Sequence, residues 1–212
     1  ICGSLMNAIL AWSLTTYGNV SLFKGEIIGG DMAISAFGIL NSIATVILFP
    51  VIGFVHGMQP IIGYNFGAKQ FNRVRRAVRV AMSYAAGFVL TAWVILQWNC
   101  EFFISPFAAG DVRLLEISSW GLRIFMGAMF MIPFGMVAGN FFQGTGKAGR
   151  SLFLNACRQV ILFIPFLILM PHLMEPTAEL RGVFIAQPIA DTGAAVIGMI
   201  MLIREMRKMP RQ

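Results

Sequence analysis

AISAFGILNSIATVILFPVIGFVHGMQPIIG, residues 33–63, contains no Lys, Arg, Asp or Glu. About 20 apolar residues in a helix cross the hydrocarbon core of a bilayer, so this stretch reads as a membrane span with length to spare. It ends at Gly67-Ala68-Lys69, and Arg73, Arg75, Arg76 and Arg79 follow within a dozen positions. An apolar rod that stops at a glycine and is followed by a basic cluster sets the pattern for the rest of the chain.

Working outward, apolar runs separated by turn residues predict six helices, at about 1–20, 33–63, 77–103, 114–142, 151–171 and 181–203. The linkers carry Gly25 and Gly29-Gly30-Asp31, then Gly67-Ala68-Lys69, Ala109-Gly110-Asp111, Gly144-Thr145-Gly146-Lys147, and Pro171 to Pro176. No room is left for a soluble domain. Composition agrees: 58% of the 212 residues are hydrophobic and 12% charged, where soluble domains have roughly 45–50% and 25%. Mean hydropathy is +0.77. The expected fold class is therefore all-α and integral to a membrane, a six-transmembrane-helix bundle.

The net charge of +7 would point to nucleic acid if the basic residues formed one face, but they fall in clusters between apolar runs. Lys69, Arg73, Arg75, Arg76, Arg79, Lys147, Arg150, Arg204, Arg207, Lys208 and Arg211 belong to one set of alternate loops. Lys24, Arg113 and Arg181 belong to the other. This imbalance predicts that both ends of the chain face the cytoplasm. The chain starts at Ile1 with no basic leader, which reads as a piece of something longer. Cys2, Cys100 and Cys157 have no CxxC spacing and read as buried thiols, so no metal site or cofactor is expected.

Few polar groups interrupt the spans. Glu26, Asp31, Glu101, Asp111, Glu116, Glu175 and Glu179 fall at the poorly basic side and Glu205 in the tail, which leaves Asp191 as the acid inside a span. An ionisable group there costs about 2.5–3.5 kcal/mol on insertion scales, so it has a partner or a purpose. Pro188 precedes it and deprives the Phe184 carbonyl of its helical donor, placing carboxylate and carbonyl oxygens together, as a small cation or a proton relay needs. The alternative is a place near the membrane interface, or a structural pair with Arg158 or Arg123, the two arginines inside spans. Asn155, Arg158 and Gln159 are three and four apart and share a helical face, either along a polar passage or as interhelical hydrogen bonds. Pro165 should loosen that helix. His56, between Pro50 and Pro60, either shuttles protons or is simply hydrogen-bonded. Gly53/Gly57 and Gly135/Gly139 have the spacing of close helix contacts. Gly144-Thr145-Gly146-Lys147-Ala148-Gly149 mimics a nucleotide-binding fingerprint, but no βαβ unit surrounds it.

Gln59-Pro60-Ile61-Ile62-Gly63-Tyr64-Asn65-Phe66-Gly67-Ala68-Lys69, with Gly30 to Ile39 before it, resembles the carboxy-terminal half of the multidrug and toxic compound extrusion (MATE) transporters. So do Phe142-Gln143-Gly144-Thr145-Gly146-Lys147 and Pro188-Ile189-Ala190-Asp191, in the family's order and across nearly the whole chain. The resemblance implies the second of two six-helix lobes, the amino-terminal lobe being absent. It also implies antiport, in which sodium ions or protons enter while bulky, often cationic and aromatic compounds leave between the lobes. Asp191 matches the acidic position of the family's last helix. Gln59, Pro60, Asn65, Gly67 and Lys69 match the cytoplasmic end of its eighth helix and the loop beyond, a gate. Some members bind the coupling cation through carboxylates on the seventh and tenth helices. Here residues 1–20 contain no acid, Asn7 being the most polar candidate, and 114–142 has only Glu116. The main coupling acid is therefore expected in the missing lobe. Two other readings stay open: a flippase for lipid-linked sugars or other anionic amphiphiles, with Arg158 and Arg123 as phosphate ligands, and a non-transporting scaffold.

Overall fold

The computed structural model describes residues 2–108, 110–174 and 179–210, with side chains from Met6 onward. The predicted helices are all present, with their ends moved by a few residues. They are α1 (Cys2–Gly18), α2 (Gly30–Gly67), α3 (Phe71–Trp98) with the short α4 (Cys100–Ile104), α5 (Val112–Phe125) with α6 (Ile132–Gly144), α7 (Ala148–Ala156) continuing into α8 (Phe163–Leu173), and α9 (Glu179–Lys208). Pro171, expected in a linker, closes the last turn of α8. The Cys2 side chain, Glu175, Pro176 and Arg211 lie outside the described residues.

Three predicted rods are not continuous. The span expected at 114–142 bends by 41° between α5 and α6. Met126 caps α5, a single 3-10 turn (Met129–Met131) follows, and Pro133 starts α6 at its first turn, where its missing N–H costs nothing. The span expected at 77–103 is interrupted at Asn99, which separates α3 from α4. Between α7 and α8 the chain forms a π turn, Cys157–Leu162. Pro165 explains it: the ring excludes the normal bond to the Ile161 carbonyl, and the widened turn just upstream absorbs the clash.

One element was not expected. Leu22–Phe23 (β1) and Glu26–Ile27 (β2) pair antiparallel, Leu22 opposite Ile27. Lys24 and Gly25, at φ 52° and 89°, make the tight turn that two left-handed residues allow. Lys24 and Arg113 pair with Glu116 (2.6 Å) and Glu26 (3.3 Å), tying this hairpin to the start of α5.

α2 packs against α1, α3, α5 and α6, and α9 against α5, α6 and α8, with Phe141, Phe142 and Phe184 buried between them. Small residues set the closest approaches. A Cβ on Gly144 would stand 3.0 Å from the Gln59 carbonyl, and one on Gly63 3.3 Å from the Gly144 carbonyl. Gly135 faces Ala195 across α6 and α9, as its spacing predicted. Gly53 and Gly57, by contrast, face open space, so that pair is not a contact within the described residues. Large apolar side chains cover the outside: Trp12, Phe49, Tyr84 and Trp98 are exposed. Four helices are long and apolar enough to cross a membrane, the bent α5–α6 pair is a fifth, and α1 has 17 residues. Only 22–44% of the apolar windows of those four is buried, so hydrocarbon is the solvent that suits the rest.

The basic ends of the helices are locked together. Glu205 lies past Ile203, where the apolar stretch of α9 ends, and is buried rather than free in a tail. Its two carboxylate oxygens accept from Lys147 and from Arg150. The hydrogen bond from Lys147 first, and then that from Arg150, hold the Glu205 carboxyl below the usual carboxylate range. Arg75 donates to the carbonyls of Met206 (3.3 Å), Met209 (2.6 Å) and Pro210 (3.2 Å), capping α9.

Two outcomes are expected for the full-length protein in detergent. Gly182→Ala puts a Cβ 2.5 Å from the Pro171 nitrogen and should cost about 1–3 kcal/mol, read as a lower Tm, while Gly57→Ala leaves Tm unchanged. Glu205→Ala should cost about 1–2 kcal/mol, a range reduced because Arg150 is nearly half exposed. Because the folded carboxyl is the stronger acid, the wild-type advantage over Glu205→Ala is full above the ordinary carboxylate pKa. It disappears as pH falls through the lowered one, which a pH series of melting curves reads directly.

Candidate functional site: a buried ion pair between two cavities

Asp191 is on α9, one turn after Pro188, and its side chain is 5% exposed. Arg158 reaches it from the π turn, Nε standing 2.8 Å from Oδ1, while Gln187, one turn back on α9, donates from Nε2 to Oδ2 at 3.1 Å. Oδ1 thus has the guanidinium at hydrogen-bonding distance and Oδ2 the Gln187 amide. The pair predicted as one of two options is thus made with Arg158. Arg123 is exposed and lines neither cavity described below, its carbonyl accepting from Gln97 at 3.3 Å.

The pair stands in the shared wall of two cavities. One, of about 140 Å³, lies between α6, α7 and α9 and is lined by Asn140, Gln143, Ser151, Asn155, Arg158 and Asp191. The other, of about 200 Å³, opens between α1, α2, α5 and α9 and has Asn7, Asn41, Thr45 and Gln187 beside the same pair. In the first cavity, Asn140 Oδ1 and Ser151 Oγ are buried without a hydrogen-bond partner among the described residues. Two such oxygens beside a charged pair in one small cavity suit water or a proton relay. Among the described residues, no group of three or more His, Cys, Asp or Glu could hold a metal ion.

The sequence-predicted residues divide. Asn7, Asn155, Arg158 and Asp191 converge on these cavities. Gln159 does not: the π turn shifts the register, so the residue expected to share a face with Arg158 is exposed instead. His56 is exposed on α2 and lines neither cavity. Gln187, Asn140 and Ser151 were not anticipated. Gln187 could have been found, because it is four residues before Asp191 and so on its face.

The motif residues have a different geometry. Asn65, Gly67 and Lys69 end α2: the N–H of Lys69 bonds the Phe66 carbonyl (3.0 Å) and that of Gln70 the Asn65 carbonyl (2.8 Å), with Lys69 at φ 57°. Gly146, at φ 73°, ends α6 in the same way, its N–H on the Gln143 carbonyl (3.0 Å) and that of Lys147 on the Phe142 carbonyl (2.8 Å). The fingerprint-like GTGK run is thus a helix cap. Gln59 and Gly144 bring the two ends into contact, and Lys147 reaches over the Phe66 ring at 5.9 Å. Pro60 is exposed, and Pro188 lies within an unbroken α9, its carbonyl accepting from Thr192 at 2.7 Å.

Known proteins share this fold. The chain is 23% identical to the multidrug export protein MepA of Staphylococcus aureus (strain N315) over 176 residues, which is 83% of this chain and 38% of MepA. Against the Staphylococcus saprophyticus MepA it is 24% identical with the same coverage. An inward-facing structure of a multidrug resistance MATE family transporter of the MOP superfamily superposes with a TM-score of 0.85 at 21% identity, covering 99% of this chain and 46% of that one. An outward-facing structure gives 0.81 at 22%, covering 96% and 44%. The chain therefore spans about two fifths of the curated relatives it matches and just under half of the solved chains. Its fold is one six-helix lobe, and these relatives are transporters rather than enzymes. Residues 4–169 match the MatE family profile, and on that match the chain belongs to the MatE family.

Proposed function

We propose that this chain is one lobe of an antiporter that exports bulky, often cationic and aromatic compounds across the cytoplasmic membrane, driven by Na+ or H+ moving inward. One observation carries the reading. Asp191 is buried in the wall between two cavities, holds Arg158 through one oxygen, and shares its cavity with the unpartnered oxygens of Asn140 and Ser151. Protonation of Asp191, or a cation held by its oxygens, neutralises the charge that keeps Arg158 in place. The Arg158 side chain, 35% exposed, is then free to turn away. The ion thus favours one arrangement of the pair over the other, which is what coupling requires.

A second lobe completes the transporter in this proposal, and substrates pass between the two. It also supplies the main coupling acid: α1 offers Asn7 rather than a carboxylate, and Glu116 is spent on Lys24 at the hairpin, outside both cavities. Rocking of rigid lobes is supported by the likeness of this single conformation to both inward- and outward-facing transporters. The flippase reading has less support, because Arg158 pairs with Asp191 and Arg123 lines neither cavity, so the two make no common phosphate cradle.

Efflux of a fluorescent cation by the full-length gene product, under imposed sodium or proton gradients, is the deciding measurement. Asp191→Asn is expected to lower it by roughly tenfold while the protein still folds and inserts. Removing both charges, Arg158→Gln with Asp191→Asn, should restore stability without restoring efflux. Recovery of efflux in that double variant would reduce the pair to a structural device. The orientation has its own check: in intact cells, Arg73→Cys should be labelled only by a thiol reagent that enters the cytoplasm.

A further inference from the structure

An apolar groove of about 370 Å³ opens on the outside of the bundle between α2 and α3, floored by Gly53 and Gly57 and walled by Phe54, Ile61, Val80 and Tyr84. From Gly53 to Ile61 it is about 12 Å long. Ala77 and Val80 line it on α3, and Arg73 and Arg76 stand four residues before them on the same helical face, about 6 Å below the end of the groove. Both arginines are exposed, and among the described residues neither has an acidic partner. Tyr64, 75% exposed, follows Ile61 on α2 at the same end.

We propose that this groove is a binding site for an acidic phospholipid, one acyl chain lying over Gly53 and Gly57 and the phosphate held by Arg73 and Arg76. The groove lies about half a turn around α2 from Asn41 and Thr45, which line the polar cavity. A partner lobe covering that cavity therefore leaves the groove to lipid. The two glycines make the floor: with no side chain there, a hydrocarbon chain can lie against the backbone, and neither position has a neighbour within 4 Å of where a Cβ would be. An apolar slot ending at two unpaired guanidinium groups and a tyrosine matches the order of parts in an anionic lipid, tail, interface and headgroup. The proposal rests on the membrane-spanning reading and not on antiport, so its test needs no transport.

The test uses the full-length gene product, washed in detergent and given either palmitoyl-oleoyl-phosphatidylglycerol or the matching phosphatidylcholine. Retained lipid is counted by native mass spectrometry and Tm is measured in parallel. The wild type should keep phosphatidylglycerol preferentially and melt higher with it. Arg73→Ala with Arg76→Ala should weaken phosphatidylglycerol retention by roughly thirtyfold and leave phosphatidylcholine unchanged. Gly57→Leu, which has room to fold, should reduce retention of both. Equal retention of the two lipids by the wild type, or an undiminished preference in the double arginine variant, overturns the proposal. So does a Tm rise from inorganic phosphate or dihexanoyl-phosphatidylglycerol that matches the long-chain lipid, because an anion site alone needs no groove.

Discussion

The Arg158–Asp191 pair stands where a bilayer is least tolerant of charge, and its needs shape the helices around it. Breaking a buried pair by removing one partner leaves the other uncompensated, at about 3–5 kcal/mol, so both must be held in reach. The π turn supplies Arg158 and the turn after Pro188 supplies Asp191. Gln187 occupies the second oxygen, so each carboxylate oxygen has a side-chain nitrogen beside it. The two cavities on either side give water access to the pair.

The prolines belong to the same account. Three of them stand at local adjustments of a helix, while Pro50, Pro60 and Pro188 lie inside continuous helices. Pro165 is answered by the π turn, Pro133 by restarting a helix after a 3-10 turn, and Pro171 by ending one. Two of these adjustments border the polar cavities, where irregular backbone is tolerable because it is packed against protein. α2, which lines the second cavity through Asn41 and Thr45, stays continuous over 38 residues with Pro50 and Pro60 inside it, and α3 over 28.

Legibility followed the range of the physics. Apolar length and basic loops act locally, so the helices could be read directly, as could the pairing of Asp191 with an arginine inside the bundle. Register-dependent features could not. Placing Gln159 beside Arg158 assumed 3.6 residues per turn across a segment that the structure widens, and reading 114–142 as one rod missed the joint effect of Gly127 and Pro133. The hairpin at Leu22–Ile27 was visible only as Gly25, since two residue pairs are too few to give a periodic signal. Glu205 looked like part of a tail because its partners, Lys147 and Arg150, are more than fifty residues away in sequence.

The contacts between helices limit what can move. Backbone meets backbone at Gly63 and Gly144, and Gly182 lies against Met170 and Pro171, leaving no space for one helix to slide past another. At the basic end, two like-shaped caps are bound together by Gln59, Gly144 and Lys147, and Glu205 pins the last helix to the same plate. A lobe fastened at its crossings and along one edge has few soft places inside. The π turn is packed against α1, α7, α8 and α9, carries a partly exposed arginine and borders both cavities. In the antiport proposed above, the rearrangement within the lobe, as opposed to movement of the whole lobe, is a turn of the Arg158 side chain away from Asp191, because the helices that carry the pair are held by their packing.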